Sequence, residues 1–340
     1  MGLCTWLTGI LSTLLFAVPS HAAEPEENPH QFTLKVLTLN INGLPPPLKN
    51  DAAPLMERIA EILRQRRAQG TQPHIVLLQE AFSSASRIVV EKSGYEFVHA
   101  GPGSEATSEA PMPRRSLASM VGLPDIPQSA KLVGSGLYVL SDYEIEQSAF
   151  QTFGDNACAG FDCFANKAVM WVRFRVPRFG HGVNVITSHM NSDRSAGVPV
   201  SMRTRAHAAQ TDILARFMET TFDPGEPLIL AGDFNTSFPP RLVYFRSRVV
   251  ALDSAEICLA MRAGCRIGTG TRPEELLYAT NDKHYYRPGQ RVTIQPLLSV
   301  RNFREEVDGR PLSDHTGYEV HYALAERPDE RLRQVSQAMP

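Results

Sequence analysis

Alternating strand-like and helix-like segments predict an α/β protein, and 340 residues of which 43% are hydrophobic give room for one large domain built on two packed sheets. Six apolar runs carry the strand half of that reading: FTLKVLTLN, HIVLLQE, VNVITSH, PLILAGDFN, LLYATND and LSDH. Stretches this rich in Val, Ile and Leu read as strands buried on at least one face. Between them the apolar spacing turns helical, and no repeat interrupts the alternation.

Taken in order, the first run ends at Asn40 and leads into Gly43-Leu44-Pro45-Pro46-Pro47, a stiff loop. Asp51 is then the expected cap of a helix whose apolar face is Leu55, Ile59, Ile62 and Leu63. Pro73 opens the second strand. Residues 101–130, rich in Gly, Pro, Ser and Ala, form a long connection of the kind that often borders a binding site, before Gly136-Leu137-Tyr138-Val139-Leu140 resumes the sheet. Trp171, inside VMWVRF, is expected in the core. A second helix is expected over about Arg203–Phe222, with Ile213, Leu214, Phe217 and Met218 facing inward. Short elements alternate up to Leu324. The expected domain covers 32–326, and the charged tail 327–340 is expected to fray.

Residues 1–23 hold no charged side chain; an apolar stretch from Trp6 to Val18 precedes Pro19-Ser20-His21-Ala22-Ala23. That pattern reads as an export signal cut after Ala22 or Ala23, which implies a secreted or periplasmic protein. Four cysteines remain after such processing, and their short separations favour Cys158 with Cys163 and Cys258 with Cys265. Zinc is the alternative, but CAGFDC and CLAMRAGC fit no common zinc spacing. A formal net charge of −2 supplies no general basic field for holding nucleic acid.

The chemistry lies where the runs end. A single SDH or GDFN is better explained by a capped strand end or an Asx turn; six polar endings in one chain imply a common cleft. Glu80 offers hard oxygens and Asn40 a neutral carbonyl oxygen, with Asn42 as the alternative. So sparse a set suits Mg²⁺, which keeps several waters and takes substrate phosphate as a ligand. His315 sits next to Asp314, and Asp282 ends another run; an imidazole oriented by a carboxylate gains basicity near neutral pH and can take a proton from an attacking water. Asp233 and Asn235, two apart, are expected to point the same way from one strand. His189 ends a further run, and an imidazole beside a phosphate can stabilise the charge that builds there.

The order of these words, with GDFN and SDH the most specific and LQE next, resembles the endonuclease/exonuclease/phosphatase superfamily of divalent-metal phosphodiesterases over roughly residues 32–324. Pancreatic deoxyribonuclease, abasic-site endonucleases and neutral sphingomyelinases belong to it. The resemblance implies a four-layer α/β/β/α sandwich of two packed mixed sheets and a monomer. It implies a magnesium ion, with Mn²⁺ or Co²⁺ as substitutes, held by Asn40, Glu80 and Asp314. It also implies His315 as base, Asp282 as its partner, Asp233 and Asn235 aligning the attacking water, and His189 at the phosphate.

Cys163-Phe164-Ala165-Asn166-Lys167-Ala168-Val169 looks like the Asn-Lys-Gly segment of neutral sphingomyelinases, with Ala168 in place of the glycine. Lys167 and Asn191 are then candidate substrate-binding residues. By this resemblance the expected activity is phospholipase C-like cleavage of a phospholipid headgroup ester at a membrane surface. A secreted nuclease acting on nucleic acid is the alternative. The aromatic membrane hairpin of bacterial sphingomyelinases has no visible counterpart; candidate membrane-facing loops are Phe238–Phe245 and Met120–Pro124.

Overall fold

The computed structural model describes residues 31–107, 131–176, 180–223, 225–261 and 264–327. The expected export signal, Met120–Pro124, most of the 101–130 connection and nearly all of the tail lie outside these residues. In chain order the elements are β1 (Gln31–Asn40), α1 (Ala53–Ala68), β2 (Ile75–Gln79), α2 (Arg87–Lys92), β3 (Phe97–Ala100), β4 (Tyr138–Ser141), β5 (Glu144–Thr152), β6 (Ala168–Arg175), β7 (Gly182–Ser188), α3 (Val200–Thr220), β8 (Leu228–Asp233), α4 (Pro239–Arg248), β9 (Leu252–Asp253), α5 (Ser254–Ala260), β10 (Arg266–Ile267), β11 (Asp282–Arg287), β12 (Val292–Asn302), β13 (Glu306–Val307), β14 (Arg310–Pro311) and β15 (Gly317–Glu326).

Two mixed sheets result, a seven-stranded one ordered β10-β12-β15-β1-β2-β4-β3 and a six-stranded one ordered β5-β6-β7-β8-β11-β9. Alternation along each strand explains how they stack. On β1, Leu34 and Val36 face the other sheet and pack with Val172, Phe174, Val185 and Ile229. Leu37 and Leu39 face outward onto Leu55, Ile59 and Leu63 of α1. On the second sheet Trp171, Ile186 and Leu230 face outward onto Ile213, Leu214 and Met218 of α3 and Phe245 of α4. Both faces of each central strand are covered, which is why those runs are apolar throughout. The four expected layers are present, with Trp171 buried and Phe217 at the edge of its cluster.

Strand direction gathers the polar endings. β1 and β2 run parallel, as do β7 and β8, so Asn40, Gln79, Ser188 and Asp233 finish at one end of the sandwich. β11 runs antiparallel to β8, pairing Asp282 with Asp233, and β15 runs antiparallel to β1. These two strands therefore deliver residues at their beginnings. Gly232 lets β7 and β8 close at that point: a Cβ there would stand 2.4 Å from the Ser188 carbonyl oxygen.

Several local expectations are corrected. LLYATND is not a strand; Glu275–Ala279 is a turn of π-helix, held by Lys283 Nζ donating to the Leu276 and Leu277 carbonyls at 2.7 and 2.8 Å, and Asp282 starts a strand. LSDH is a loop ahead of β15. Asp51 does not cap α1, which begins after Ala52 with Pro54 in its first turn and no side-chain cap. Phe238–Phe245 is not an apolar loop but runs into α4, whose Leu242 and Phe245 are buried. Both disulfides form as expected, Cys158–Cys163 and Cys258–Cys265. No helix among the described residues is long and apolar enough to cross a membrane.

Candidate active site

The cleft lies at the end of the sandwich where β1, β2, β7 and β8 finish. Of the five described non-glycine residues with positive φ, Asn42, Glu80 and Asn235 lie here, at 47°, 56° and 51°. Backbone held in that sparsely populated region concentrates at functional sites, where surrounding bonds enforce it. Asn42 N–H donates to Asn40 Oδ1 at 2.9 Å, Gly43 N–H to the Glu80 carbonyl at 2.9 Å, and Asn235 N–H to Asp233 Oδ1 at 3.1 Å. The strand of β8 thus stops at Asp233 and the chain turns. Asn235 does not share a strand edge with Asp233 as expected, because the turn replaces the extended backbone that alternation requires.

Asp233 Oδ2 is the focus. Asn40 Nδ2 donates to it at 3.0 Å, and His189 Nε2 and His315 Nε2 each stand 3.7 Å away. The loop carrying His315 is fastened to β1 by Ser313 Oγ, which donates to the Asn40 carbonyl at 2.7 Å. His315 Nδ1 bonds Asp282 Oδ2 at 2.8 Å, and the second Asp282 oxygen is buried with no partner among the described residues. Burial by itself would lower the imidazole's pKa. Asp282 and Asp233, with the hydrogen bond to Asp282 and a smaller effect of Asp314, reverse that and raise it to about 11.

His189 has the opposite surroundings. It is buried, Lys167 Nζ stands 3.2 Å from its Nε2, and its Nδ1 has no partner among the described residues. Burial, then the Lys167 charge, lower its pKa to about 3 despite Asp233. A neutral ring facing an ammonium accepts at Nε2, so the positive charge on this wall belongs to Lys167. Lys167 also donates to the Met190 carbonyl at 3.0 Å and forms an ion pair with Asp162. Asp162 lies between Cys158 and Cys163 and accepts from Ser192 N–H at 2.9 Å and Ser192 Oγ at 2.6 Å. Sequence reasoning missed Asp162; its place between two cysteines of a small loop was the available signal.

For a metal, Glu80 Oε1 accepts from Asn40 Nδ2 at 2.9 Å and stands 3.7 Å from His189 Nε2. Burial raises the Glu80 pKa, and the Asn40 hydrogen bond and Lys167 charge offset only part of that. Glu80, His189 and Asp233 bring ligand atoms within 4.8 Å of one another, as do Asp233, Asp282 and His315. Glu80 Oε1 and Asp233 Oδ2 are a pair of hard oxygens that fits Mg²⁺, whereas Asn40 turns its Nδ2 to both and its expected ligand oxygen, Oδ1, accepts from Asn42 N–H instead. Asp314 joins neither group: it is exposed, and its Oδ1 accepts from Ser313 Oγ at 3.3 Å.

Asn191 is buried away from the focus, its Oδ1 accepting from Ala159 N–H at 2.9 Å and its Nδ2 donating to the Ser192 carbonyl. Its backbone N–H donates to Gln210 Oε1 at 2.6 Å. Asn235 Nδ2 donates to the Met190 carbonyl at 3.0 Å, beside Lys167. Arg241 of α4, almost fully buried, clamps these turns by donating to the Asn191 carbonyl at 2.7 Å and the Ser192 carbonyl at 3.1 Å. Nothing in the sequence around Arg241 marks it. Lys49, also missed, donates to the Asn42 carbonyl at 2.9 Å and feels the charges of Asp314 and Glu80.

Residues 37–315 match the family described as "Endonuclease/Exonuclease/phosphatase family". No curated protein sequence matches. Among solved structures, sphingomyelinase C from Streptomyces griseocarneus is similar at 20% identity and TM-score 0.59, over 85% of this chain and 99% of its own. A Staphylococcus aureus beta toxin variant with bound magnesium ions is similar at 15% identity and TM-score 0.58, over 85% and 99%. D. rerio TDP2 complexed with single strand DNA product is similar at 14% identity and TM-score 0.56, over 85% and 98%. At these identities the likeness is one of fold.

Proposed function

Because the chain belongs to the Endonuclease/Exonuclease/phosphatase family, we propose that it is an exported, monomeric, Mg²⁺-dependent phosphodiesterase that cleaves a phospholipid headgroup ester in the manner of a sphingomyelinase. The observation that carries the hydrolytic part is the focus at Asp233 Oδ2, which the Asn40 amide and two imidazoles approach from three separate segments of the chain. The sphingomyelinase part rests on the Asn-Lys segment, the buried Lys167 at the cleft wall, and the structural likeness to the Streptomyces enzyme and the toxin. Two disulfides are compatible with export.

Glu80, with Asp233 beside it, would hold the ion, and Asn40 would align the two carboxylates through Nδ2. When bound, the ion supplies positive charge that offsets these carboxylates and polarises a phosphoryl oxygen. The residues do the rest. Asp233 aligns a water for in-line attack on phosphorus, and His315 Nε2 accepts its proton; the ring would be free to do so because the ion's charge would offset the carboxylates that otherwise hold its pKa at about 11. The imidazolium so formed is stabilised by Asp282, whose carboxylate already fixes Nδ1 as the donor. Lys167 stabilises charge on the equatorial oxygens from the opposite wall. Asn166 serves the neighbouring loop instead, where its Nδ2 donates to the Gly103 and Ala106 carbonyls at 2.8 and 2.9 Å and pins the backbone beside the cleft.

A substrate panel tests this reading: sphingomyelin, phosphatidylcholine, phosphoinositides and plasmid DNA, each with Mg²⁺ and with EDTA. Phosphocholine release that EDTA abolishes is expected, with slow DNA nicking at physiological salt, since a net charge of −2 gives little counterion-release affinity. Efficient His315-dependent DNA cleavage with no headgroup release would favour the nuclease reading that the TDP2 likeness keeps open.

A further inference from the structure

We propose that the disulfide-closed turn beside the cleft, with the two segments bonded to it, is a docking surface for a phospholipid bilayer. The inference rests on the lipid reading above and names the surface through which the cleft would meet its substrate. Leu132, Phe161 and Phe164 are 69%, 67% and 44% exposed, and Val200 and Met202, at the start of α3, are 48% and 50% exposed. The two phenylalanine rings lie 6.3 Å apart.

These side chains are held outward on firm backbone. Leu132 N–H donates to the Phe164 carbonyl at 2.7 Å, and Phe161 N–H to the Ala196 carbonyl at 3.0 Å. Lys131 Nζ donates to the Cys163 carbonyl at 2.9 Å, and Cys158–Cys163 closes the turn covalently. Gly197 accommodates the Phe161 ring, which a Cβ there would meet at 2.7 Å. Aromatic groups fixed in water, rather than folded back onto their own loop, mark a surface that another phase covers.

Three observations select a bilayer as that phase. The patch is continuous with the cleft: Asp162, between Phe161 and Phe164, is the ion-pair partner of Lys167. Whatever seats on the rings therefore lies beside the candidate phosphate site. Basic residues flank it in the chain: Arg194, two residues before Ala196, and Arg205, three after Met202, are exposed and make no ion pair among the described residues, which suits a layer of lipid phosphates. A second copy of this chain would instead set those arginines against one another. Of the two segments expected to be apolar, Met120–Pro124 lies outside the described residues, and on α4 Leu242 and Phe245 are buried, which leaves Val243, 70% exposed, without an exposed aromatic ring beside it in the chain, while the short β13–β14 hairpin presents Glu306, Asp308 and Arg310.

The experiment is co-sedimentation of the intact protein with sphingomyelin/phosphatidylcholine vesicles in EDTA, where binding is read without turnover. Hydrolysis of soluble bis(4-nitrophenyl) phosphate in Mg²⁺ is measured alongside. Wild type is expected to sediment with the vesicles, and the Phe161→Ser/Phe164→Ser double variant to bind about tenfold or more weakly, as loss of two inserted rings implies. Its rate on the soluble diester should stay at the wild-type level, which also certifies its fold. Leu132→Ser, on the neighbouring segment, should weaken vesicle binding independently. Vesicle binding unchanged in both variants overturns the proposal, as does a wild type that hydrolyses the soluble diester but does not sediment. So does a dimer in sedimentation equilibrium that the double variant dissolves. Ring-dependent vesicle binding by a protein that hydrolyses no lipid supports the docking surface while removing the lipid-cleaving function.

Discussion

The two walls of the cleft each hold a histidine 3.7 Å from the same carboxylate oxygen, yet one imidazole is raised to about 11 and the other lowered to about 3. On the β11–β15 wall, His315 meets Asp282 at 2.8 Å and keeps partial contact with solvent. On the β6–β7 wall, His189 is buried against the Lys167 ammonium. The shared Asp233 is common to both, so the difference comes from the other neighbour and from burial. One wall is built to carry a proton, and the other carries its fixed charge on a lysine.

The severest test removes the candidate metal ligand that both walls depend on. Glu80→Ala is expected to lose Mg²⁺-dependent turnover altogether while the circular dichroism spectrum stays unchanged, because a strand-end carboxylate contributes little packing. Ordinary Mg²⁺-stimulated activity in that protein would take Glu80 out of the metal site. Next is the proton-carrying wall: His315→Ala should lower kcat by roughly 10²–10⁴-fold with a smaller effect on KM. A rate within a few-fold of wild type would make His315 structural only.

On the opposite wall, Lys167→Met should cost about 10²-fold in kcat, in the range of losing one transition-state charge contact. Asp162→Asn should cost less, and it should leave the pH dependence of kcat set by the His315 wall unchanged. A variant in which Asp162→Asn moves that pH profile would show the two walls to be coupled rather than separate.

The smallest effect is the most diagnostic. In EDTA, the raised His315 stabilises the fold fully below its ordinary value of 6.5, and that contribution is lost as pH rises towards about 11. The lowered His189 does the reverse: its contribution is complete above 6.5 and is lost as pH falls towards about 3. Urea denaturation from pH 5 to 9 should therefore show His315→Asn flattening the alkaline limb and His189→Asn the acid limb, each by at most about 1.4 kcal/mol per pH unit. Identical limbs in the two variants would erase the comparison.

Much of the fold was legible because periodicity records which faces are covered. Continuous apolar runs such as PLILAGDFN announced strands buried on at least one face, and Leu55, Ile59 and Leu63 announced the face of α1. LLYATND misled because Leu276 and Leu277 are buried whether the backbone is strand or π-turn, and only the Lys283 ammonium bonded to their carbonyls decides for the turn. Asn191 was named beside His189 in the sequence, but its amide is committed to Ala159, a contact between distant segments that no local spacing encodes.

By itself the sequence determined the α/β class, the cysteine partners, and the residue types gathered at the cleft: Asn40, Glu80, Lys167, His189, Asp233, Asp282 and His315. The tertiary structure decided how they meet and what charge they carry. Asp282 and His315 reach the cleft only because β11 and β15 run antiparallel to their neighbours and so begin where β8 and β1 end. Asp314, adjacent to His315 in the chain, is left exposed, while Asp162 reaches Lys167 through a disulfide-closed turn. Strand direction and desolvation both depend on partners far away in the chain; local side-chain pattern records burial but neither the direction of the neighbouring strand nor the charge beside it.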